Sequence, residues 1–148
     1  MKNSILLLGL TVLFFSCGET NKMKNKVNQT APKVQTSEIR EIPKEILPTN
    51  IKAARIEENT LTLEVSYSGG CQEQTFDLVG SPMTMKSFPP KRAIALVRNS
   101  NGDTCRELIE ETLTFDLTSM AYQEKDGSEI YLLLNGYEEQ LLYTLKAN

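Results

Sequence analysis

An apolar run from Ile5 to Phe15, interrupted by Gly9 and Thr11 and preceded by Lys2, decides how much of this chain is left to fold and where it folds. Its eleven residues rise only about 16 Å as a helix, roughly half the hydrocarbon thickness of a bilayer. A cation followed by an apolar run of that length and then small residues has the layout of a cleaved export signal, and a membrane span is the poorer reading. Residues 1–16 are therefore expected to be a signal peptide.

The run ends Phe14, Phe15, Ser16, Cys17, Gly18, which resembles the bacterial lipobox, where a small residue precedes a cysteine that is acylated and becomes the new N-terminus. Ser16 and Cys17 fit that pattern. Phe14 and Phe15 depart from the usual leucine and small residue, so ordinary cleavage nearby, leaving Cys17 as a free thiol, stays open. Each buried methylene of an acyl chain contributes roughly 0.8 kcal/mol and two chains hold firmly, so a lipidated Cys17 implies a stable membrane anchor. The expected location is the cell envelope, on a periplasmic or surface face.

Two cysteines remain, Cys71 and Cys105, in an oxidising compartment, and a bridge between them is the natural pairing. Closing a loop of about 34 residues stabilises by about 3 to 4 kcal/mol in the chain-entropy model. A metal or redox pair would need closer spacing or further ligands.

Residues 17–50 are expected to be the lipidated cysteine and a flexible tether, mostly polar, with Pro32, Pro43 and Pro48. Within them, Ser37 to Ile46 is open to a short helix or an edge strand. Residues 18–50 hold six basic and four acidic groups, against nine and fifteen in residues 51–148. Lys22, Lys24 and Lys26 lie beside the anchor, where they can meet anionic headgroups or simply aid solubility. An acidic domain over 51–148 is a poor candidate for nucleic acid, and no nucleic-acid partner is expected.

Beyond Asn50 the signals are strands and tight turns. Leu61, Leu63, Val65 and Tyr67 alternate with Thr60, Thr62, Glu64 and Ser66, the pattern of a half-buried strand. Thr75 to Val79 resumes after Gly69, Gly70 and Cys71, with Phe76 and Leu78 facing one way. Ser81 to Pro90 reads as a loop, Arg92 to Arg98 as a strand, and Asn99 to Asp103 as a turn in which Asn101 and Gly102 supply positive φ. Cys105 to Leu117 is expected to run back paired with Arg92 to Arg98, with Ile109, Leu113, Phe115 and Leu117 inward. Ile130 to Leu134 and Gln140 to Leu145 read as a terminal hairpin. About six strands without a long helix predict an all-β fold, a small antiparallel β-sandwich or partly closed barrel.

Tyr67, Ser68, Gly69, Gly70 and Cys71, then Phe76 and Leu78, then Asn101 to Cys105, then Glu111 to Leu117, resemble a set of small secreted or lipid-anchored bacterial proteins. These share a Gly-Gly-Cys segment, a Gly-Asp-x-Cys turn and a Thr-Leu-x-Phe-Asp-Leu strand, over roughly residues 60–145. The resemblance implies export and a paired Cys71 and Cys105, and supplies no mechanism. Members often carry a histidine shortly after the first cysteine, where this chain has Gln72, Glu73 and Gln74, so any role of that histidine does not carry over.

The chain has no histidine, which removes Ser-His-Asp and Cys-His catalysis and the usual zinc sites. Glu107, Glu110, Glu111 and Asp116 are the densest carboxylates; on a strand Glu107 and Glu111 share one face and Glu110 and Asp116 the other. They read as a solvated face or, as the alternative, as acid/base groups of a hydrolase acting on glycans. Asn99, Asn101, Asp103 and Glu107 offer oxygens for Ca²⁺, but Gly102 comes too early for an EF-hand loop, and a turn with Asp103 bonding to backbone explains the same residues. Met83 and Met85 suggest soft Cu(I) ligation or, as the plainer reading, burial against the core or packing within the loop. Phe88, Pro89 and Pro90, with those methionines, are the candidate partner contact, since a rigid proline segment loses little entropy on docking. No catalytic residue and no cofactor is expected. The leading expectation is a non-enzymatic, membrane-tethered binding or accessory module with an envelope protein or glycan partner; a purely structural envelope component is the third.

Overall fold

The computed structural model of the protein describes residues 33–147. The signal peptide, Cys17 and the Lys22, Lys24 and Lys26 cluster lie outside the described residues. Eight strands follow in order: β1 Val34–Ile39, β2 Asn50–Glu57, β3 Thr60–Gly69, β4 Thr75–Met85, β5 Lys91–Asn99, β6 Glu107–Asp116, β7 Glu129–Leu134 and β8 Gln140–Thr144, with a 3₁₀ turn at Thr118–Met120 between β6 and β7. They form one sheet in the order β2-β3-β6-β1-β4-β5-β7-β8, whose two ends come back together at β2 and β8. The architecture is an eight-stranded mixed sheet nearly closed into a barrel. Among the described residues no helix is long and apolar enough to cross a membrane.

The all-β expectation holds, while the strand count, the sandwich and the antiparallel pairing need correction. β1 runs parallel to both of its neighbours, β4 and β6, and β5 runs parallel to β7. β1 lies inside the stretch expected as tether, so residues 34–39 belong to the sheet and sit at its middle, away from any edge. Side-chain periodicity hides it for a physical reason. Of its six residues only Ser37 is buried, and Val34 and Ile39 are largely exposed, so the strand is held by backbone ladders that carry no sequence signature.

The strand pairing also departs from expectation. β3 and β6 pair antiparallel over ten residues, from Thr60 opposite Asp116 to Gly69 opposite Glu107. β5 pairs with β4 and β7, so the segments expected to form a hairpin across Asn99–Asp103 are not neighbours. That turn instead carries the chain across one end of the barrel. Asn101 and Gly102 adopt the expected positive φ, 50° and 79°. The Ser81–Pro90 stretch is only partly loop: β4 continues to Met85 past an irregularity between Gly80 and Thr84. Pro82 sits in that irregularity, where a missing N–H donor is tolerated.

Alternation fills the interior as expected. Leu61, Leu63, Val65 and Tyr67 of β3 meet Phe76 and Leu78 of β4, Leu113 and Phe115 of β6, and the terminal hairpin's Ile130, Leu132 and Tyr143. Met120, on the 3₁₀ turn, plugs one end. Gly80 is the reason it fits: a Cβ there would run into the Met120 sulfur and approach Ile39 Cδ1 to 3.0 Å.

Candidate functional site

Two ends of the barrel gather the residues singled out from the sequence. At one end, Cys71, just past β3, is bridged to Cys105, just before β6, with Cα atoms 5.8 Å apart, an ordinary span. Gly70, at φ 114°, turns the chain so that successive amides converge on one carboxylate. The N–H groups of Gly70, Cys71 and Gln72 donate to Asp103 Oδ2 at 2.9, 3.2 and 3.2 Å, and Cys105 N–H donates to Oδ1 at 2.9 Å. A cup of consecutive amides is an anion site, and here the protein's own carboxylate occupies it. The Cys105 amide foremost, against an opposing contribution from burial, and then the Gln72 amide, the Gln74 side chain and the Cys71 amide, hold Asp103 down at about 2.

Gln74 links this cup to the barrel interior. Its Nε2 donates to Ser68 O at 3.1 Å and to Asp103, and its Oε1 accepts from Arg98 at 2.7 Å. The buried Arg98 guanidinium also donates to Ser68 O at 3.0 Å and Pro48 O at 2.8 Å, and lies 5.2 Å from the Tyr67 ring centroid. Its acceptors are therefore carbonyls and an aromatic face. Tyr67 donates to Glu111 Oε2 at 2.6 Å, and burial, then that hydrogen bond, raises its phenol well above the ordinary range. The whole end is a knot tying Pro48, β3, β4, β5 and β6. Cys71, Asp103 and Cys105 cluster as a metal site might, but both sulfurs are spent in the bridge, and only a thiolate ligates.

The other candidate oxygens are engaged too. Asn99 Oδ1 accepts from Asn101 N–H at 3.0 Å, and Asn101 Nδ2 donates to Glu73 O at 2.8 Å. On β6, Glu110 pairs with Lys52, Glu111 with Tyr67, and Asp116 Oδ1 accepts from Thr118 N–H at 2.8 Å and Oγ1 at 2.6 Å. Glu107 packs over Gly70. Glu110, Glu111 and Asp116 thus each have a structural partner, and Glu107 a glycine to cover.

At the opposite end, the tip joining β4 to β5 brings together Met83, Met85, Phe88, Pro89 and Pro90. The alternative that the methionines pack in the core is overturned: Met83 is 78% exposed and Met85 52%, Met83 lying in the irregularity that ends β4's buried run and Met85 just past it. Phe88 is 102% exposed and precedes a cis peptide bond to Pro89. The turn is held without these side chains: Ser87 Oγ donates to Pro89 O at 2.7 Å, Tyr131 N–H donates to Pro90 O at 2.9 Å, and Arg92 donates to Ser81 O at 2.5 Å. Between the tip and the segment after the 3₁₀ turn lies a cleft of about 860 Å³, with Met85, Phe88 and Pro90 on one side and Tyr122, Ser128 and Glu129 on the other. Tyr122, half-exposed, was missed from the sequence. It lies more than thirty residues from Phe88, and the parallel pairing of β7 with β5 makes them neighbours.

No family model and no curated protein sequence matches the chain. Solved structures of similar fold do. A NigD-like immunity protein from Bacteroides caccae superposes with a TM-score of 0.55 at 14% identity, over 76% of this chain and 64% of its own. A DUF1344 protein of unknown function from Bacteroides vulgatus gives 0.49 at 18% identity, over 78% and 58%. The chain thus spans about three fifths of the length of these structures. The likeness is one of fold, a β-barrel architecture shared with the Bacteroides caccae protein.

Proposed function

We propose that this protein is a non-enzymatic accessory module of the cell envelope, tethered through a lipidated Cys17, that engages another envelope component through the β4–β5 tip. The observation that carries the reading is the pair of exposed side chains Met85 and Phe88 lining one cleft with Tyr122, with Met83 exposed two residues earlier in β4. Holding that much apolar side chain in water is unfavourable, by roughly 25 cal/mol per Å², and a contiguous exposed patch marks a contact surface. The Cys71–Cys105 bridge supports an oxidising compartment, as does the resemblance to exported proteins with Gly-Gly-Cys and Gly-Asp-x-Cys segments. The Bacteroides caccae protein is a NigD-like immunity protein, and at 14% identity that role assigns no partner to this chain.

The test is site-specific photo-crosslinking in cells, with the crosslinking residue at position 88 or, as control, at position 142, an exposed leucine on β8. Adducts with an envelope component at 88 and none at 142 are expected. Equal labelling at both positions, or none at 88, overturns the reading. The anchor is checked separately: palmitate labelling should disappear in Cys17→Ser.

A further inference from the structure

The tip's shape and charge identify what it engages. From Leu78 to Gly102 the chain carries Lys86, Lys91, Arg92 and Arg98 and no acidic residue, although residues 51–148 hold fifteen acidic and nine basic groups. Arg92 and Arg98 are buried, which leaves Lys86 and Lys91 as the tip's cations, Lys91 lying 5.9 Å from the Tyr131 ring centroid. The opposing charge is Glu129 on the far wall of the cleft, with Glu124 and Asp126 in the loop before it. Phe88 projects from the turn wholly into solvent. A projecting ring needs a matching pocket on a protein partner, whereas the interfacial zone of a bilayer accepts it without one.

We propose that the β4–β5 tip docks on an anionic lipid surface, with Met83, Met85 and Phe88 entering the interfacial zone and Lys86 and Lys91 meeting its phosphates. The proposal rests on the reading of the tip as the contact surface and names its occupant. Electrostatics orient the domain: an anionic surface repels the acidic remainder and attracts the tip. Fifteen residues separate Cys17 from Lys33 and reach at most about 50 Å, more than the roughly 35 Å height of the longest strand, so the anchor lets this end meet the bilayer.

The experiment uses the chain from residue 17 onward with Cys17→Ser, which retains every described residue and carries no acyl group. It is co-sedimented with vesicles of phosphatidylglycerol and phosphatidylethanolamine, or of phosphatidylcholine alone. Binding to the anionic vesicles is expected, weakening with added salt. Phe88→Ser and Met83→Ser should each lower affinity roughly tenfold, the factor for withdrawing a large apolar side chain, and Lys86→Glu several-fold, while Leu142→Ser leaves it unchanged. No binding, or binding that survives all three tip variants, as it would if Lys22, Lys24 and Lys26 alone were responsible, overturns the proposal. Failure here with a position-88 crosslink to a protein sinks the lipid assignment and leaves the tip as a protein contact. Failure of both experiments removes the contact surface itself.

Discussion

Asn59, half-buried, is the clasp that closes the barrel, and its removal should be costly. It sits in the turn between β2 and β3. Its Nδ2 donates to Lys146 O at 2.7 Å, and its Oδ1 accepts from the Tyr143 hydroxyl at 3.0 Å and from Lys146 N–H at 2.9 Å. Its backbone oxygen accepts from Leu117 N–H at 2.7 Å, a bond that Asn59→Ala retains. The two bonds to Lys146 are exposed, so water replaces them at a cost of about 0.5 kcal/mol each, whereas the fully buried Tyr143 keeps a hydroxyl without an acceptor, worth about 1 to 3 kcal/mol. Asn59→Ala is thus expected to destabilise by about 3 kcal/mol. Tyr143→Phe removes donor and need together and should cost about 1 kcal/mol. The double variant should fall short of the sum by about 2 kcal/mol, because Phe also removes the hydroxyl that Asn59→Ala strands. Urea unfolding followed by far-ultraviolet circular dichroism measures all four proteins. A loss under about 0.5 kcal/mol in Asn59→Ala, or strict additivity, would refute the clasp.

Three further outcomes follow from the disulfide end. Arg98→Met keeps the aliphatic stem but strands the Pro48 carbonyl and Gln74 Oε1, while Ser68 O keeps its bond from Gln74, so a loss of about 2 kcal/mol is expected in the same urea assay; an unchanged midpoint would show that water replaces the guanidinium freely. Reducing Cys71–Cys105, with its separation of 34 residues, should cost about 4 kcal/mol, read as the shift in unfolding midpoint between oxidised and reduced protein; no shift would mean that the Asp103 cup alone restrains both loops. Asp103 is held at about 2 in the folded state, below its unfolded value of about 4, so its contribution is present above pH ~4 and lost as pH falls towards ~2. Thermal unfolding across that window should show a smaller pH dependence in Asp103→Asn than in wild type, and identical profiles would remove the cup's electrostatic role.

Much of the interior was legible in the sequence because alternation is a local signal. Leu61, Leu63, Val65 and Tyr67 face the core, as do Phe76, Leu78, Leu113 and Phe115, and the terminal hairpin pairs as expected. Backbone conformation at Asn101 and Gly102 was readable for the same reason, since residue type restricts φ locally. The Asp103 bonds were legible in kind only: a turn carboxylate binding backbone was expected, while its reach to Gly70, Cys71 and Gln72 depends on the bridge and on Gly70. Met83, Met85, Phe88, Pro89 and Pro90 were marked from composition; the structure leaves Met83, Met85 and Phe88 exposed and Pro89 and Pro90 half-buried.

By itself, then, the sequence determined what depends on neighbours along the chain: strands with one apolar face, turns where glycine and asparagine allow positive φ, and two cysteines available to pair. Tertiary structure decided everything that depends on which strand lies beside which. β1 takes its place between β4 and β6 through parallel backbone ladders, which no side-chain pattern encodes. β5 turns away from β6 because β3 already occupies one side of β6 and β1 the other. Tyr122 meets the β4–β5 tip because the segment that carries it leads into β7, which lies parallel beside β5. Long-range pairing follows from the summed fit of the whole core, and that sum exists only in the folded molecule.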